Sequence, residues 1–164
     1  MAVPNFGELF IASRGEPLSY EGRTLVMLDR FPAKFGERLL VTIESTNSVW
    51  PQGIGMSTGV EVFGSREKRA VVWEYFSVEP KNRKRIRSNL PFSFEVTCRN
   101  KSGFISFYNM TEFDGRQESW NGGSCMVSSE IDGGRRYSCN DFELDDDFDD
   151  LVFSVVRAPS LGSA

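Results

Sequence analysis

The residues of this sequence best suited to chemistry are seven carboxylates concentrated in one ten-residue segment. Segment Asp141–Asp150 reads DFELDDDFDD and contains no basic residue, so the rest of the chain carries +3 of the formal net charge of −4. Carboxylates this close together repel one another unless a cation lies among them. Because calcium accepts about six to eight oxygen ligands in a flexible shell, the segment predicts a Ca²⁺ site.

The predicted ligands alternate along the chain, which allows a curled loop to direct them toward one ion or two. They are Asp145, Asp147, Asp149 and Asp150. The segment is not an EF-hand loop. Counted from Asp145, the sixth position is Asp150 where that loop has Gly, and the twelfth is Val156 where that loop has Glu. We expect Phe148 to anchor the loop in the core. A solvated acidic loop that closes the fold is the alternative interpretation.

The string Asp145–Val152 resembles the Asp-x-Asp-aromatic-Asn-Asp-apolar-Val loop near the end of soluble calcium-dependent bacterial lectins that bind fucose and mannose. Calcium-binding β-sandwich modules of bacterial surface proteins carry a similar string. In those lectins the acids of the loop bridge paired calcium ions, and sugar hydroxyls complete the coordination. An acidic ligand stands four positions before the first loop Asp, and the resemblance therefore implies a metal-binding role for Asp141.

A second similarity covers Phe31–Ala33, Val41–Ile43 and the pair Asn47-Ser48, which match an early stretch of the same lectins. It implies that Asn47 is a further calcium ligand. This chain departs from the pattern in two ways. It has Asp149 where the family prefers Asn, and residues 157–164 follow the position where the lectins end on a Gly whose carboxylate completes a neighbour's site. A homo-oligomer is thus left open.

The resemblance implies a lectin-like function, with a carbohydrate or glycoconjugate as the partner. Asp145, Asp147 and Asp150 would hold the metal and also accept hydrogen bonds from sugar hydroxyls. Trp120, beside a Gly-rich turn, could offer a face on which a sugar ring stacks. A half-buried structural tryptophan is the alternative interpretation of Trp120.

Two other classes of function compete with this one. A small acidic interaction protein, such as an immunity protein or inhibitor, would cover a basic partner with the same carboxylates. An enzyme is disfavoured because the chain has no histidine, the usual general base, so we expect a binding protein. The segment 81–87 has five bases in seven residues, but we interpret it as a solvated turn and expect no nucleic-acid binding.

The elements that position these residues are predicted to be strands. In Phe92–Cys98, apolar and polar residues alternate with the period of a half-buried strand. Further short apolar runs are Leu9–Ile11, Leu25–Leu28, Leu39–Ile43, Val60–Phe63, Val71–Phe76, Phe104–Tyr108, Cys125–Val127 and Leu151–Val156. Between the runs lie turn signals, among them Gly53-Ile54-Gly55. The pattern predicts an all-β fold, a single antiparallel β-sandwich of about 8–10 short strands spanning residues 1–164 as one domain, with a short tail at 157–164.

Three features are open at this level. Ser65–Phe76 fits a helix with Ser65 as its N-cap, although the β-branched and aromatic residues favour a strand. Cys125 and Cys139 could form a disulfide in an oxidising compartment or remain buried thiols. We find no signal peptide and no apolar stretch of about 20 residues, and therefore expect no membrane insertion and a protein that is cytoplasmic or exported without a classical leader.

Overall fold

The computed structural model describes residues 3–76, 86–87, 89–120 and 122–159, without the side chains of residues 75, 76, 86 and 87. These residues form helix α1 (Phe6–Ala12) and fourteen strands. The strands are β1 (Leu18–Tyr20), β2 (Arg23–Val26), β3 (Asp29–Pro32), β4 (Arg38–Thr46), β5 (Gln52–Val62), β6 (Ser65–Trp73), β7 (Tyr75–Phe76), β8 (Ile86–Arg87), β9 (Phe92–Cys98), β10 (Phe104–Phe113), β11 (Arg116–Glu118), β12 (Cys125–Ile131), β13 (Gly134–Asn140) and β14 (Leu151–Arg157). Residues 81–85 of the predicted basic turn and 160–164 of the predicted tail lie outside this description.

Twelve of the strands form one continuous antiparallel sheet in the order β1-β2-β12-β13-β14-β4-β9-β5-β10-β11, with β3 beside β10 and β6 beside β5. Strands β7 and β8 pair separately. The all-β prediction is confirmed, whereas the two-layer sandwich stays a prediction. The expected eight to ten strands are too few, because the sheet also includes four short strands of only three or four residues.

Strand β5 makes the sheet curl into a half-barrel. Its first part, Gln52–Ser57, pairs with β10, and its last part, Val60–Val62, pairs with β9. The register with β6 shifts between these two parts. A bulge of this kind bends a strand and increases its twist, so β5 can pass from one side of the core to the other.

The core lies inside the curl and is built from alternate residues of the strands. In β4, every second residue from Leu39 through Val41 to Ile43 is fully buried. In β14, Phe153 and Val155 are fully buried in the same way. Each such side chain contributes about 1.5–3 kcal/mol to folding when it leaves water. The strands predicted from the apolar runs Leu39–Ile43 and Leu151–Val156 are therefore confirmed.

The short run Leu9–Ile11 belongs to helix α1, so the interpretation of this run as a strand was wrong. Asn5 starts the helix, because its side-chain oxygen accepts a hydrogen bond from the Glu8 N–H at 3.1 Å. The helix buries Phe6 and Phe10 and leaves the side chain of Ile11 80% exposed. A three-residue apolar run does not distinguish the two periods, whereas the N-cap followed by Glu three residues later is a helix signal.

The turn predicted at Gly53-Ile54-Gly55 was also wrong, because these residues lie inside β5. The glycines make room for aromatic rings. A Cβ on Gly53 would lie 2.7 Å from the Trp73 ring, and one on Gly55 would lie 2.1 Å from the Tyr108 ring.

The ambiguous segment at 65–76 is a strand, β6, followed by the short strand β7, as the β-branched residues favoured. In the described part of the chain, no helix has the length and apolar character needed to cross a membrane.

Candidate metal centre

The acidic loop, residues 141–150, connects β13 to β14 at the end of the sheet where β4 also ends. Two backbone hydrogen bonds hold its last residue in place. The Asp150 N–H donates to the Cys139 carbonyl at 3.1 Å, and the Asn47 N–H donates to the Asp150 carbonyl at 3.0 Å. The antiparallel pairing of β14 with both β13 and β4 therefore brings Asn47 to the loop.

Asn140, the last residue of β13, holds the backbone of the acidic loop through two side-chain hydrogen bonds. Its side chain is fully buried. The amide Nδ2 donates to the Asp145 carbonyl at 2.7 Å, and Oδ1 accepts from the Phe148 N–H at 2.9 Å. One side chain thus satisfies two backbone groups on the two sides of the loop's apex, so the carboxylates between them stand on a defined backbone.

Two aromatic side chains attach the loop to the body of the protein. Phe148 is buried, with its ring 6.2 Å from that of Phe6 on α1. Phe142 packs against Trp50 and Phe113, with ring centroids 6.0 and 4.9 Å away. Phe148 therefore anchors the loop as the sequence predicted, and these contacts leave the carboxylates free for other partners.

The carboxylates of the loop form two groups in which one oxygen from each residue lies within 4.8 Å of the others. The first group contains Asp141, Glu143 and Asp145, and the second contains Asp145, Asp147 and Asp150. Asp145 belongs to both groups. An all-oxygen donor set of this density can hold a hard metal ion, or two neighbouring ions that share one carboxylate.

Two carboxylate oxygens of the acidic loop have no hydrogen-bond partner among the described residues. Oδ1 of Asp145 and Oδ1 of Asp149 are buried and accept no hydrogen bond in the described structure. None of the ion pairs among the described residues includes a carboxylate of the acidic loop. Buried acceptors of this kind normally bind water or an ion, and the donor set therefore fits a cation.

Burial and mutual repulsion change the acidity of this cluster. Burial raises the pKa of Asp145 to about 7, helped by the negative charge of the neighbouring Asp147. Burial also raises the pKa of Asp150 to about 7, although the Asp141 N–H donates to its Oδ2 at 2.9 Å and acts in the opposite direction. A cation among these groups would favour their ionised forms, because an opposite charge a few ångströms away lowers a carboxyl pKa.

Asp141 is held by two hydrogen bonds that the sequence did not predict. Ser48 Oγ donates to its Oδ2 at 2.7 Å, and the Glu143 N–H donates to its Oδ1 at 2.9 Å. Glu143 was also absent from the predicted ligands, because it lies outside the string that resembles the lectin loop. The density of acids along the whole segment was the signal that could have identified it.

The structure places the remaining predicted site residues less centrally. Asn47 Nδ2 donates to Asp149 Oδ2 at 2.8 Å, so the two residues meet at the rim of the loop. The indole N–H of Trp120 donates to the Met27 carbonyl at 2.9 Å, and its ring lies 5.2 Å from Tyr108. The metal-binding roles of Asn47 and Asp149 and the stacking role of Trp120 stay predictions.

The thiols take no part in this site. Cys98, Cys125 and Cys139 are free and buried. Burial raises the pKa of Cys125 to about 12 and that of Cys139 well above its ordinary value. Thiols of this kind stay protonated at neutral pH, so they are poor nucleophiles and poor metal ligands.

Comparison of the chain with protein-family models, with curated proteins and with solved structures found no match.

Proposed function

We propose that this protein binds carbohydrate through calcium held in the acidic loop. The observation that carries the proposal is the position of Asp145, which two groups of carboxylates share and which keeps a buried oxygen without a partner among the described residues. A cation there would gain ligands from both groups and would favour the ionised forms of Asp145 and Asp150, whose pKa is raised first by burial and second by the neighbouring carboxylates.

Calcium fits this donor set better than magnesium does. One loop supplies the five carboxylates, and their spacing does not impose octahedral coordination on an ion. Calcium tolerates irregular shells of about six to eight oxygens. Magnesium demands near-octahedral geometry and keeps several of its waters. The donor set contains no nitrogen or sulfur, which argues against zinc and copper.

The carbohydrate part of the proposal follows from the exposure of the loop and from its resemblance to the lectin string. Asp147 is exposed, whereas Asp150 is 5% exposed, so the cluster has a solvent side and a protein side. Vicinal hydroxyls of a sugar can replace water on the solvent side, while Asp145 and Asp147 accept hydrogen bonds from them. We further propose that the curled sheet is a variant of the β-sandwich of those lectins.

A matched pair of variants tests the proposal. Asp147→Asn removes a carboxylate of the cluster, whereas Asp146→Asn makes the same change one residue earlier, outside both groups. An asparagine at 146 keeps an oxygen to accept the hydrogen bond that the Tyr20 hydroxyl donates at 3.1 Å. Binding to a panel of immobilised mono- and oligosaccharides is measured in millimolar calcium and then in EDTA.

We expect the wild type and Asp146→Asn to bind the immobilised sugar in calcium and to be released by EDTA. Asp147→Asn should not bind the immobilised sugar in calcium. Retention of Asp147→Asn equal to that of the wild type would contradict the proposal. Binding of the wild type to the sugar that persists in EDTA would also contradict the proposal.

A second candidate is an acidic surface that binds a basic protein. The exposed side chains of Val49 and Leu144, at 84% and 52%, flank the cluster and resemble the apolar contacts of an interface. Such binding would not need calcium and would weaken as salt screens the attraction. Binding to a basic protein is measured in calcium and in EDTA, each at two salt concentrations. Binding that persists in EDTA and weakens with salt would favour this second candidate.

A further inference from the structure

A cleft of about 190 Å³ lies far from the acidic loop. Strands β4 and β9 run antiparallel, with Ile43 opposite Phe92 near the acidic loop and Arg38 opposite Thr97 at the other end. Arg99, which lines the cleft, follows the end of β9. At about 3.3 Å per residue, the length of β9 separates the cleft from the acidic loop by roughly 20 Å.

The cleft arises from the bulge in β5. Ser57 pairs with Arg69 and Val60 pairs with Glu67, so two residues of β5 face the single residue Lys68 across the ladder. A bulge leaves its extra residue unpaired and separates the strands locally. The cleft at this position is lined by Gly59, Val60, Arg66, Glu67, Lys68 and Arg99.

The wall at Gly59 is held rigidly. The Arg99 N–H donates to the Gly59 carbonyl at 3.0 Å, and Asn100 Nδ2 donates to the same oxygen at 3.3 Å. Gly59 has a φ of +85°, and a Cβ there would lie 3.1 Å from the Arg99 carbonyl oxygen. The backbones of Gly59 and Arg99 therefore approach each other closely at the wall of the cleft, where a glycine is favoured.

Positive charge exceeds negative charge in this lining, which has three cations and one carboxylate. The Arg99 guanidinium reaches Glu61 only at 3.5 Å, and its Nε–H is buried without a hydrogen-bond partner in the described structure. Arg66 and Lys68 are exposed and form no ion pair with any described carboxylate. The cleft thus has donors and charge that the described chain does not satisfy.

We propose that this cleft binds an oxyanion, namely a phosphate, sulfate or carboxylate group of a ligand. The guanidinium of Arg99, whose side chain is 30% exposed, provides donors at the wall of the cleft, and Arg66 and Lys68 add two exposed cations. Hydrogen bonds between charged groups and an oxyanion are short and stronger than neutral ones. A planar guanidinium beside two further cations is a donor set that suits an oxyanion.

The proposal is tested by titrating the ¹⁵N-labelled protein with inorganic phosphate, sulfate or acetate at constant ionic strength and without added metal. We expect saturable shifts of the Gly59 and Arg99 backbone amide signals. Stronger binding of phosphate and sulfate would identify a doubly charged ligand group, and equal binding of acetate would identify a carboxylate.

The variant Arg66→Gln/Lys68→Gln removes two exposed charges and should weaken binding roughly tenfold. Arg116→Gln, a change of one exposed arginine on β11, should leave it unchanged. The absence of saturable shifts with all three anions would overturn the proposal, and so would equal affinity in the double variant. Neither result depends on the acidic loop, because none of these residues belongs to it.

Discussion

At the scale of single residues, one buried amide does most to shape the candidate metal centre. Asn140 bonds to the backbone of Asp145 and Phe148 through both ends of its side chain, and its own carbonyl accepts from Asn109 Nδ2 at 2.6 Å. These bonds go to the backbone of the loop and not to its carboxylate groups. We infer that Asn140 is a positioning residue, which sets the distances among carboxylates that repel one another.

Replacement of this amide should affect calcium binding as well as stability. Asn140→Ala leaves the Asp145 carbonyl and the Phe148 N–H without their partners, at a cost of about 1–3 kcal/mol for each buried group. We expect calcium affinity to fall at least about tenfold in isothermal titration, because the loop no longer has a single conformation.

The matched control is Asn100→Ala. The Asn100 side chain holds another loop in the same manner, since Nδ2 donates to the Phe104 carbonyl and Oδ1 accepts from the Ser102 N–H. This variant should lose stability but keep its calcium affinity. If both variants bind calcium as the wild type does, Asn140 does not position the ligands.

At the scale of elements, β5 decides how the sheet closes around its core. The strand pairs with β10, β6 and β9 in turn, and its glycines accept rings from both neighbouring strands. Tyr108 of β10 lies against Gly55, and Trp73 of β6 lies against Gly53. Aromatic rings across a glycine stabilise a strand that would otherwise lose cross-strand contacts.

Gly55→Ala should destabilise the protein by about 1–3 kcal/mol, because the new Cβ overlaps the Tyr108 ring and overpacking has this typical cost. The free energy of unfolding is measured by chemical denaturation for Gly55→Ala, Tyr108→Leu and the double variant. We expect Gly55→Ala to cost much less when Tyr108 is already replaced. Additive effects of the two changes would show that the ring contact is not the cause.

The same elements show which parts of the fold the sequence predicts. The alternation in Phe92–Cys98 and the apolar run Leu39–Ile43 each reflect a buried face of the sheet, so both segments are correctly predicted as strands. Gly53 and Gly55 were misinterpreted as a turn because their role depends on rings from strands that are distant in sequence. A local pattern contains no information on such contacts.

The candidate metal centre likewise has features that the sequence predicts and features that only the fold creates. The carboxylates of Asp145, Asp147 and Asp150 lie together as their spacing predicted, and Asp141 lies beside Asp145 as the resemblance implied, because these candidate ligands are local in the chain. The hydrogen bond from Ser48 to Asp141 joins residues 93 positions apart, and only the pairing of β4 with β14 creates it.

At the scale of the whole molecule, the acidic loop makes stability depend on pH in an unusual direction. The pKa values of Asp145 and Asp150 are about 7 in the folded protein, against an ordinary value of 3.8. Without metal, the folded state therefore binds protons that the unfolded state has lost, and stability falls as pH rises from about 4 to about 7. The chain contains no histidine, so these two carboxyls dominate the change between pH 5 and pH 8.

The most direct test of the central claim is the thermal midpoint of the protein in EDTA, in millimolar calcium and in millimolar magnesium, at pH 8 and pH 5. A ligand at a hundred times its Kd adds about 2.7 kcal/mol of stability, which corresponds to a rise of several degrees at this chain length. We predict that rise for calcium at pH 8, a much smaller one for magnesium, and a reduced calcium effect at pH 5, where protons compete for Asp145 and Asp150. Equal midpoints in EDTA and calcium at pH 8 would contradict the account.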